Sequence, residues 1–159
     1  FKSAGIDVFH NPDELHGDIA VVNTCGFIGD AKEESIEMIL SLCEKKAQDL
    51  INQVYVMGCL SERYRNELME EIPEVDKFYG KFDWKQLLSD LNMESGCDSV
   101  EARAVTTPSH YAYVKIAEGC NRKCAYCAIP IITGKHVSRP MEDILREVDY
   151  CPVTDILWR

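Results

Sequence analysis

The sequence predicts an α/β protein: a parallel sheet in its first part, followed by one strand–loop–helix unit. Three observations lead to this fold class. Short apolar runs alternate with amphipathic stretches over residues 18–91, as in parallel sheets whose strands are connected by helices. Residues 92–108 are rich in Ser, Gly, Asp and Thr, which is typical of a linker. Residues 111–148 then read as a strand, a loop and a helix, the opening unit of a barrel-like α/β domain.

The first part contains three predicted strands and three predicted helices. Residues 18–23 form an apolar strand, and the following helix is predicted to be capped by Asp30 with Glu33 as its reciprocal partner. The buried face of that helix is predicted to carry an apolar stripe: Ile36, Ile39, Leu40, Cys43, Ala47 and Leu50. The later elements are a strand at 53–57, a helix at 61–72 that stops before Pro73, a short strand at 78–80 and a helix at 84–91.

The second part begins with a predicted strand at residues 111–117, and Pro140 opens a helix that ends at about Val148. The predicted domains are an N-terminal domain at 1–92, a linker at 93–110 and the start of a second domain at 111–159. The linker contains Cys97, which we interpret as incidental. Both ends of the chain lack the signals of a natural terminus, so we expect a fragment.

The composition is ordinary apart from its cysteines and its charge. Hydrophobic residues make up 46% of the chain, and no apolar run approaches the roughly 20 residues of a membrane span. Eight cysteines without a signal peptide favour metal chemistry or burial over a disulfide framework, and we expect a cytoplasmic protein. The net charge is −10, and residues 1–92 carry 18 of the 27 acidic side chains. This excess argues against nucleic acid as the partner of that part, although a solvated surface explains it equally well.

The most informative motif is the CxxxCxxC run of Cys120, Cys124 and Cys127, with Tyr126 before the last cysteine. Iron–sulfur clusters are held by cysteine thiolates and usually take four of them. Three in one short loop leave one iron open to a small molecule. A structural zinc site is the alternative, but it normally needs four ligands, and only Cys124 and Cys127 have the spacing of a zinc-binding pair.

A second pair of cysteines follows two predicted strands. Cys25 and Cys59 each come just after a strand, one βα unit apart. Right-handed crossovers bring the carboxyl ends of parallel strands to one edge of the sheet, where ligands collect. The sequence therefore predicts a half-built metal site at this edge.

The remaining candidate residues carry less information. Around the three-cysteine loop a cationic rim faces one acid, Glu118; its members are Lys115, Arg122, Lys123, Lys135 and Arg139. A cationic rim favours thiolates and an anionic cluster, but solvated surface charges are an equal alternative. Cys43 is interpreted as a buried hydrophobe and Cys151 as a free thiol, while His110 and His136 are left unassigned.

Two distant sets of residues resemble one enzyme family. The run KIAEGCNRKCAYCAIP at 115–130 resembles the radical S-adenosylmethionine methylthiotransferases, and VNTCGFI at 22–28 and MGCL at 57–60 are similar to that family's own N-terminal domain. The Gly-Phe-Ile string resembles the RimO-like branch, which modifies a ribosomal protein. The MiaB-like branch, which modifies an adenosine of tRNA, and a non-catalytic metal-binding module are the alternatives. The resemblance fades beyond Val148, where residues 149–152 are not expected to continue the helix.

The resemblance implies two 4Fe-4S clusters, S-adenosylmethionine and a radical SAM partial (β/α) barrel. Cys120, Cys124 and Cys127 would hold the radical-generating cluster, and Tyr126 would lie near the adenine. Cys25 and Cys59 would be two of three ligands of a sulfur-supplying cluster, the third lying upstream of Phe1.

For the reaction, the resemblance implies a 5′-deoxyadenosyl radical that abstracts hydrogen, so that a methylthio group is inserted at the β-carbon of an aspartate in small-subunit ribosomal protein twelve. The electron would come from a donor such as flavodoxin or ferredoxin. Neither a nucleic acid nor a membrane partner is expected. No catalytic residue is assigned, and this chain alone is expected to be inactive.

Overall fold

A computed structural model of the chain describes residues 6–10, 17–92, 107–151, 153 and 155–158. The chain divides into two compact units, Phe1–Glu94 and Ser95–Arg159, and each is described by itself. Cys97 and most of the predicted linker lie outside the described residues. In these ranges no helix is both long and apolar enough to cross a membrane.

The first unit is built on a parallel sheet of three strands with helices between them. Its strands are β1 (Gly17–Thr24), β2 (Ile51–Gly58) and β3 (Lys77–Phe78), in the order β1-β2-β3, and all neighbours are parallel. Its helices are α1 (Gly29–Ala47), α2 (Cys59–Glu71) and α3 (Trp84–Asp90). The predicted α/β class with a parallel sheet is confirmed.

Two apolar clusters hold this sheet. The larger cluster joins α1 and α2 to β1 and β2; its fully buried members include Ile39, Val54 and Val56. The smaller cluster joins Tyr55, Tyr79 and Leu87, so that α3 packs against β2 and the residues after β3. Alternate residues of β2 therefore enter different clusters, because successive side chains of a strand point to opposite faces. The sheet is covered from both sides at its middle strand.

The start of α1 differs from the prediction. The helix begins at Gly29 with Ile28 as its N-cap, and no side chain caps it, so the predicted Asp30–Glu33 capping box is wrong. Asp30 instead lies in the first turn, where a carboxylate favours the positive end of the helix dipole without a capping hydrogen bond.

The apolar stripe of α1 was also partly wrong. Ile39 and Cys43 are buried as predicted, but Leu40 is 46% exposed and Leu50 lies beyond the helix. The helix buries Ser35, Ile39, Leu42 and Cys43, which form a narrower stripe than a count of apolar residues indicates. The pattern overestimated the buried face because a helix on the outside of a sheet contacts it along one stripe only.

The second helix begins earlier than predicted. It starts at Cys59, two residues before the predicted Ser61, because Gly58 ends β2 and serves as the N-cap of α2 with a φ of +109°. The other end is close to the prediction: α2 stops at Glu71, before Pro73. Cys59 is therefore the first residue of the helix rather than part of a loop.

The second unit contains a βαβ arrangement and a short antiparallel pair of strands. Strand β4 (Tyr111–Val114) pairs in parallel with β7 (Asp155–Trp158), and α5 (Met141–Tyr150) lies between them in sequence. Strands β5 (Ala117–Glu118) and β6 (Val137–Ser138) pair in antiparallel fashion, and the short helix α4 (Ile129–Ile132) lies between those two.

Two predictions for this unit need correction. The strand expected at 111–117 is divided, because β4 pairs with β7 whereas β5 pairs with β6. Helix α5 continues through Tyr150, past the expected end at Val148, and the chain beyond it forms β7. Residues 149–150 therefore do continue the helix. The partial barrel itself stays a prediction.

Candidate functional site

Cys25 and Cys59 lie at the same edge of the first sheet. They directly follow Thr24 and Gly58, which are partners in the parallel register of β1 and β2. A parallel pair keeps the carboxyl ends of both strands together, so the chain leaves the sheet twice at neighbouring points. The predicted placement of the two cysteines is confirmed, whereas their role as metal ligands stays a prediction.

Close backbone packing fixes this edge. A Cβ on Gly58 would lie 2.6 Å from the Thr24 carbonyl oxygen, and a Cβ on Gly26 would lie 2.6 Å from the Cys59 carbonyl oxygen. The Thr24 hydroxyl also donates a hydrogen bond to the Met57 carbonyl at 2.7 Å. Only residues without a side chain allow the two strand ends to approach so closely, and this approach sets the separation of the two cysteine backbones.

Helix α1 also holds Cys25. The Cys25 backbone N–H donates to the Ser35 hydroxyl oxygen at 3.0 Å, and that hydroxyl donates to the Ala31 carbonyl at 2.7 Å. Ser35 is buried, and sequence reasoning missed it. The sequence did contain one clue: Ser35 lies four residues before Ile39, on the buried stripe of α1. A buried polar side chain needs a hydrogen-bond partner, so a serine there indicates a specific contact.

The amino-terminal ends of α1 and α2 follow the same strand ends. Helix amino termini carry partial positive charge and unpaired N–H groups, which favour anionic ligands. Two cations also lie here: Lys32 donates to the Tyr64 hydroxyl at 3.4 Å, and the Arg63 guanidinium lies 4.9 Å from the Tyr64 ring centroid. The first turns of the same helices also carry acids, Asp30 in α1 and Glu62 in α2, so groups of both charges lie near this edge of the sheet.

The first turn of α2 is held separately from the rest of the helix. Tyr64 interrupts the helix with a φ of −125° and a ψ of 30°. Before the interruption, Glu62 accepts a hydrogen bond from the Lys81 N–H at 3.0 Å. After it, Arg65 donates to Asp83 at 2.6 Å. Hydrogen bonds from the Gly80 N–H and then from Arg65 hold the pKa of Asp83 below its usual value. The turn that carries Cys59 is thus tied to the chain after β3.

The three-cysteine loop of the second unit is closed at its neck. The Cys120 N–H donates to the Gly134 carbonyl at 3.1 Å, directly beyond the β5–β6 pair. The Asn121 side-chain oxygen accepts from the His136 N–H at 3.0 Å. Gly119 has a φ of +73°, and a Cβ there would overlap the Lys135 carbonyl. The segment that leads into the loop and the segment that leads out of it are therefore hydrogen-bonded to each other. All three cysteines lie on the loop between these two segments.

Within the loop the cysteines differ in exposure. Cys124 is exposed, while Cys120 and Cys127 are half-buried, and all three are free thiols. The Cys127 N–H donates to the Cys124 carbonyl at 3.1 Å, so these two residues share a turn. Tyr126 is 93% exposed. In the described part of the chain, no three Cys, His, Asp or Glu side chains converge as a ligand group. The loop carries three soft thiol donors of the kind that iron–sulfur clusters use, and their role as cluster ligands stays a prediction.

The cationic rim is smaller than the sequence indicated. Lys115 forms an ion pair with Glu118, and Arg139 forms one with Glu147. The sequence count missed Glu147 because it lies outside the counted segment, on α5. Arg122, Lys123 and Lys135 are exposed and lie on or beside the loop. These three cations are the remaining rim.

The structure also shows the surroundings of the two remaining cysteine candidates and of the two unassigned histidines. Cys43 is buried in the larger core cluster, and burial raises the pKa of its thiol, which confirms it as a buried hydrophobe. Cys151 follows α5 as a half-buried free thiol. The His136 ring lies 3.4 Å from the Ser138 hydroxyl, and the His110 ring centroid lies 4.9 Å from that of Tyr111 with the two rings tilted by 60°. Neither histidine gains a ligand role.

Several curated relatives that match this chain share one protein name. A protein from Phocaeicola vulgatus called ribosomal protein uS12 methylthiotransferase RimO is 62% identical over 147 residues, which is 92% of this chain and 34% of that protein. Equally named proteins from Bacteroides fragilis and Porphyromonas gingivalis are 61% and 60% identical over 94% and 93% of this chain, again with 34% of each relative covered. The chain thus spans about a third of the length of these relatives.

A family model agrees with the first unit. It is described as Uncharacterized protein family UPF0004, and it matches residues 1–80, which is half of the chain. The matched segment contains β1, α1, β2, α2 and β3, together with Cys25 and Cys59. The chain belongs to the Uncharacterized protein family UPF0004.

Proposed function

We propose that this chain is part of a radical S-adenosylmethionine methylthiotransferase, with a ribosomal protein as its substrate. The observation that carries the proposal is the loop of Cys120, Cys124 and Cys127, which is bonded together at its neck. The names of relatives that are 60–62% identical over most of this chain support the reaction class and the ribosomal substrate. The proposed chemistry is the insertion of a methylthio group at the β-carbon of an aspartate in small-subunit ribosomal protein twelve.

The three-cysteine loop would hold a 4Fe-4S cluster through its three thiolates. When bound, such a cluster supplies the electron for reductive cleavage of S-adenosylmethionine, and cluster chemistry of this kind belongs to the cofactor. The chain's own residues bind and orient it. Cys124 is exposed and accessible to incoming iron, while the exposed cations Arg122, Lys123 and Lys135 favour thiolates and the carboxylate of the nucleoside ligand. Tyr126, with its exposed ring, would stack on the adenine.

The edge of the first sheet would supply two ligands of a second cluster. Cys25 and Cys59 leave neighbouring strands, and the amino termini of α1 and α2 favour negative charge there. Two protein thiols are fewer than a cluster usually takes, so a further ligand must join them. This second cluster is the proposed source of the inserted sulfur.

Iron and sulfide analysis of the anaerobically reconstituted chain tests the first part of the proposal. We expect about four irons with matching sulfide at the three-cysteine loop. Changing Cys120, Cys124 and Cys127 to Ala should abolish that content, whereas Cys151→Ala, a matched cysteine outside the loop, should leave it unchanged. One equivalent of zinc with no iron would replace the proposal with a non-catalytic metal-binding module.

The finer parts of the proposal need separate measurements. Release of 5′-deoxyadenosine from reduced, reconstituted protein tests the chemistry, and the inactivity expected for these 159 residues alone stays a prediction until that assay is done. Competition between purified small-subunit ribosomal protein twelve and tRNA for binding tests the substrate. Preference for tRNA would favour the adenosine-modifying branch. An electron donor such as flavodoxin or ferredoxin and a cytoplasmic location also belong to the proposal.

A further inference from the structure

One ion pair lies at the base of the three-cysteine loop. Arg139 comes directly after β6, where the loop returns to the body of its unit. Its Nη1 atom donates to the Lys115 carbonyl at 2.8 Å and to the Glu147 carboxylate at 2.6 Å. Its backbone N–H donates to the Ile116 carbonyl at 2.9 Å. One residue thus bonds the segment that enters the loop and the helix that follows it.

The environment of this pair indicates a positional role rather than a stabilising one. The Glu147 side chain is only 9% exposed and that of Arg139 is 29% exposed. A buried ion pair gains little net stability, because both charges lose their hydration, but loss of one partner leaves an uncompensated charge. Such a pair selects one arrangement of the elements that it joins. Here these elements are the end of β4, the return from β6 and helix α5.

The bonds beyond Arg139 continue in order toward the cysteines. The β5–β6 pair comes first, with Ala117 opposite Ser138 and Glu118 opposite Val137. The Cys120 N–H bond to the Gly134 carbonyl comes next. A two-residue ladder is too short to be stable by itself, so its register depends on what is fixed at its open end. Arg139 and Glu147 occupy that end.

We propose that Arg139 and Glu147 are positioning residues for the three-cysteine loop. The pair closes the neck of the loop and thereby keeps Cys120 in register with the segment that carries Cys124 and Cys127. This inference rests on the proposed function only where it concerns the cluster. Closure of the neck is a property of the chain itself and is measured without metal.

Amide hydrogen exchange of the metal-free chain tests the closure. In Glu147→Gln, which keeps the side-chain size but removes the charge, the amides of Cys120, His136 and Arg139 should exchange about tenfold faster, since a hydrogen bond to a charged group is weakened. The amide of Asp155, which bonds to the His110 carbonyl at 3.0 Å in the same unit, should not change. If that amide accelerates equally, Glu147 stabilises the whole unit and the positioning role is wrong.

Two further variants complete the test. Arg139→Lys keeps the positive charge at a partly exposed site but removes the guanidinium that reaches both partners, so it should open the neck even if Glu147→Gln does not fold. Arg146→Gln is the matched control, because Arg146 pairs with Asp143 on the exposed side of α5, away from these neck bonds. If the neck amides exchange at the same rate in all three variants and in the unaltered chain, the proposal is overturned.

Iron retention links the neck to the cluster. After anaerobic reconstitution and challenge with a chelator, Glu147→Gln and Arg139→Lys should lose iron about tenfold more readily than the unaltered chain, as is usual when a group that orients metal ligands is removed. Retention equal to that of Arg146→Gln would refute the positioning role. Failure of the unaltered chain to bind any iron would instead refute the proposed function, while the exchange data would still decide whether the pair closes the neck.

Discussion

Replacement of Gly58 by Ala should strongly disturb the edge of the first sheet. Gly58 has a φ of +109° and a ψ of −160°, a combination that is essentially restricted to glycine. Its added Cβ would lie 2.6 Å from the Thr24 carbonyl oxygen, 2.7 Å from the Asn23 side-chain oxygen and 2.8 Å from the Thr24 nitrogen. Two of these atoms belong to the backbone of β1, so no side-chain rotation relieves the overlap.

Two contributions give the expected size of the effect. Holding a non-glycine residue in this backbone region costs about 1–3 kcal/mol. Forcing a methyl group into packed backbone costs about 1–3 kcal/mol more, because the strands must separate slightly. We therefore expect the free energy of unfolding of the first unit to fall by about 2–6 kcal/mol, a large share of the ~5–15 kcal/mol that stabilises an ordinary domain.

Urea unfolding followed by tryptophan fluorescence measures this loss. The chain has two tryptophans, and a Trp158→Phe background leaves Trp84 in α3 as the reporter of the first unit. At a slope of about 2 kcal/mol per M urea, the midpoint should fall by about 1–3 M, with the slope unchanged. Gly29→Ala is the matched control at the first residue of α1, where an added Cβ meets nothing within 4 Å. Equal midpoints for the two variants would show that the strand ends are not packed as closely as described.

Two further predictions concern the core and the charges of the first unit. Ile39→Ala should lower the free energy of unfolding by about 2–5 kcal/mol, because the side chain is fully buried, whereas Leu40→Ala, 46% exposed, should cost under about 1 kcal/mol in the same urea assay. Although burial raises the pKa of Asp76, hydrogen bonds from Lys46 at 2.6 Å and from the Val54 N–H at 2.8 Å outweigh it and hold that pKa below its ordinary value. The lowered pKa means that this carboxylate stabilises the fold above pH ~4 and ceases to do so as the pH falls through its folded pKa. Asp76→Asn should therefore cost about 1 kcal/mol at neutral pH and nearly nothing in acid, and an equal loss at both pH values would contradict the assignment.

The sequence predicted the first unit well because its sheet depends on local patterns. Apolar runs at 18–23 and 53–57 lie within β1 and β2, and the alternation with helices correctly implied parallel pairing. From that topology alone, Cys25 and Cys59 could be placed at one edge. The helix cap at Asp30 could not be predicted reliably, because several residues near a helix start can fit the capping pattern and tertiary packing decides among them.

The second unit was harder to predict because its bonds are not local. The run at 111–117 reads as one strand, yet β4 and β5 pair with segments that lie far apart in the sequence. Such a division depends on the partner strands, which periodicity within one segment does not contain. Glu147 gave a weak signal: it is an acid three residues after the buried Ile144, on the face of α5 that packs inward. An acid on a buried face calls for a cation, and Arg139 forms an ion pair with it.

The two groups of cysteines are therefore held in place by different kinds of interaction. Cys25 and Cys59 are placed by the backbones of two paired strands, so substitutions of exposed side chains should leave their separation unchanged, whereas a single methyl group at Gly58 alters it. The loop of Cys120, Cys124 and Cys127 is closed by a two-residue ladder and an ion pair, so a side chain eight residues beyond Arg139 governs it. A search for the cysteine spacing alone finds the three cysteines of such a loop but not the residues that hold it closed. A chain that kept CxxxCxxC and lost Arg139 or Glu147 would keep the donor atoms while the register between the two ends of the loop was no longer fixed.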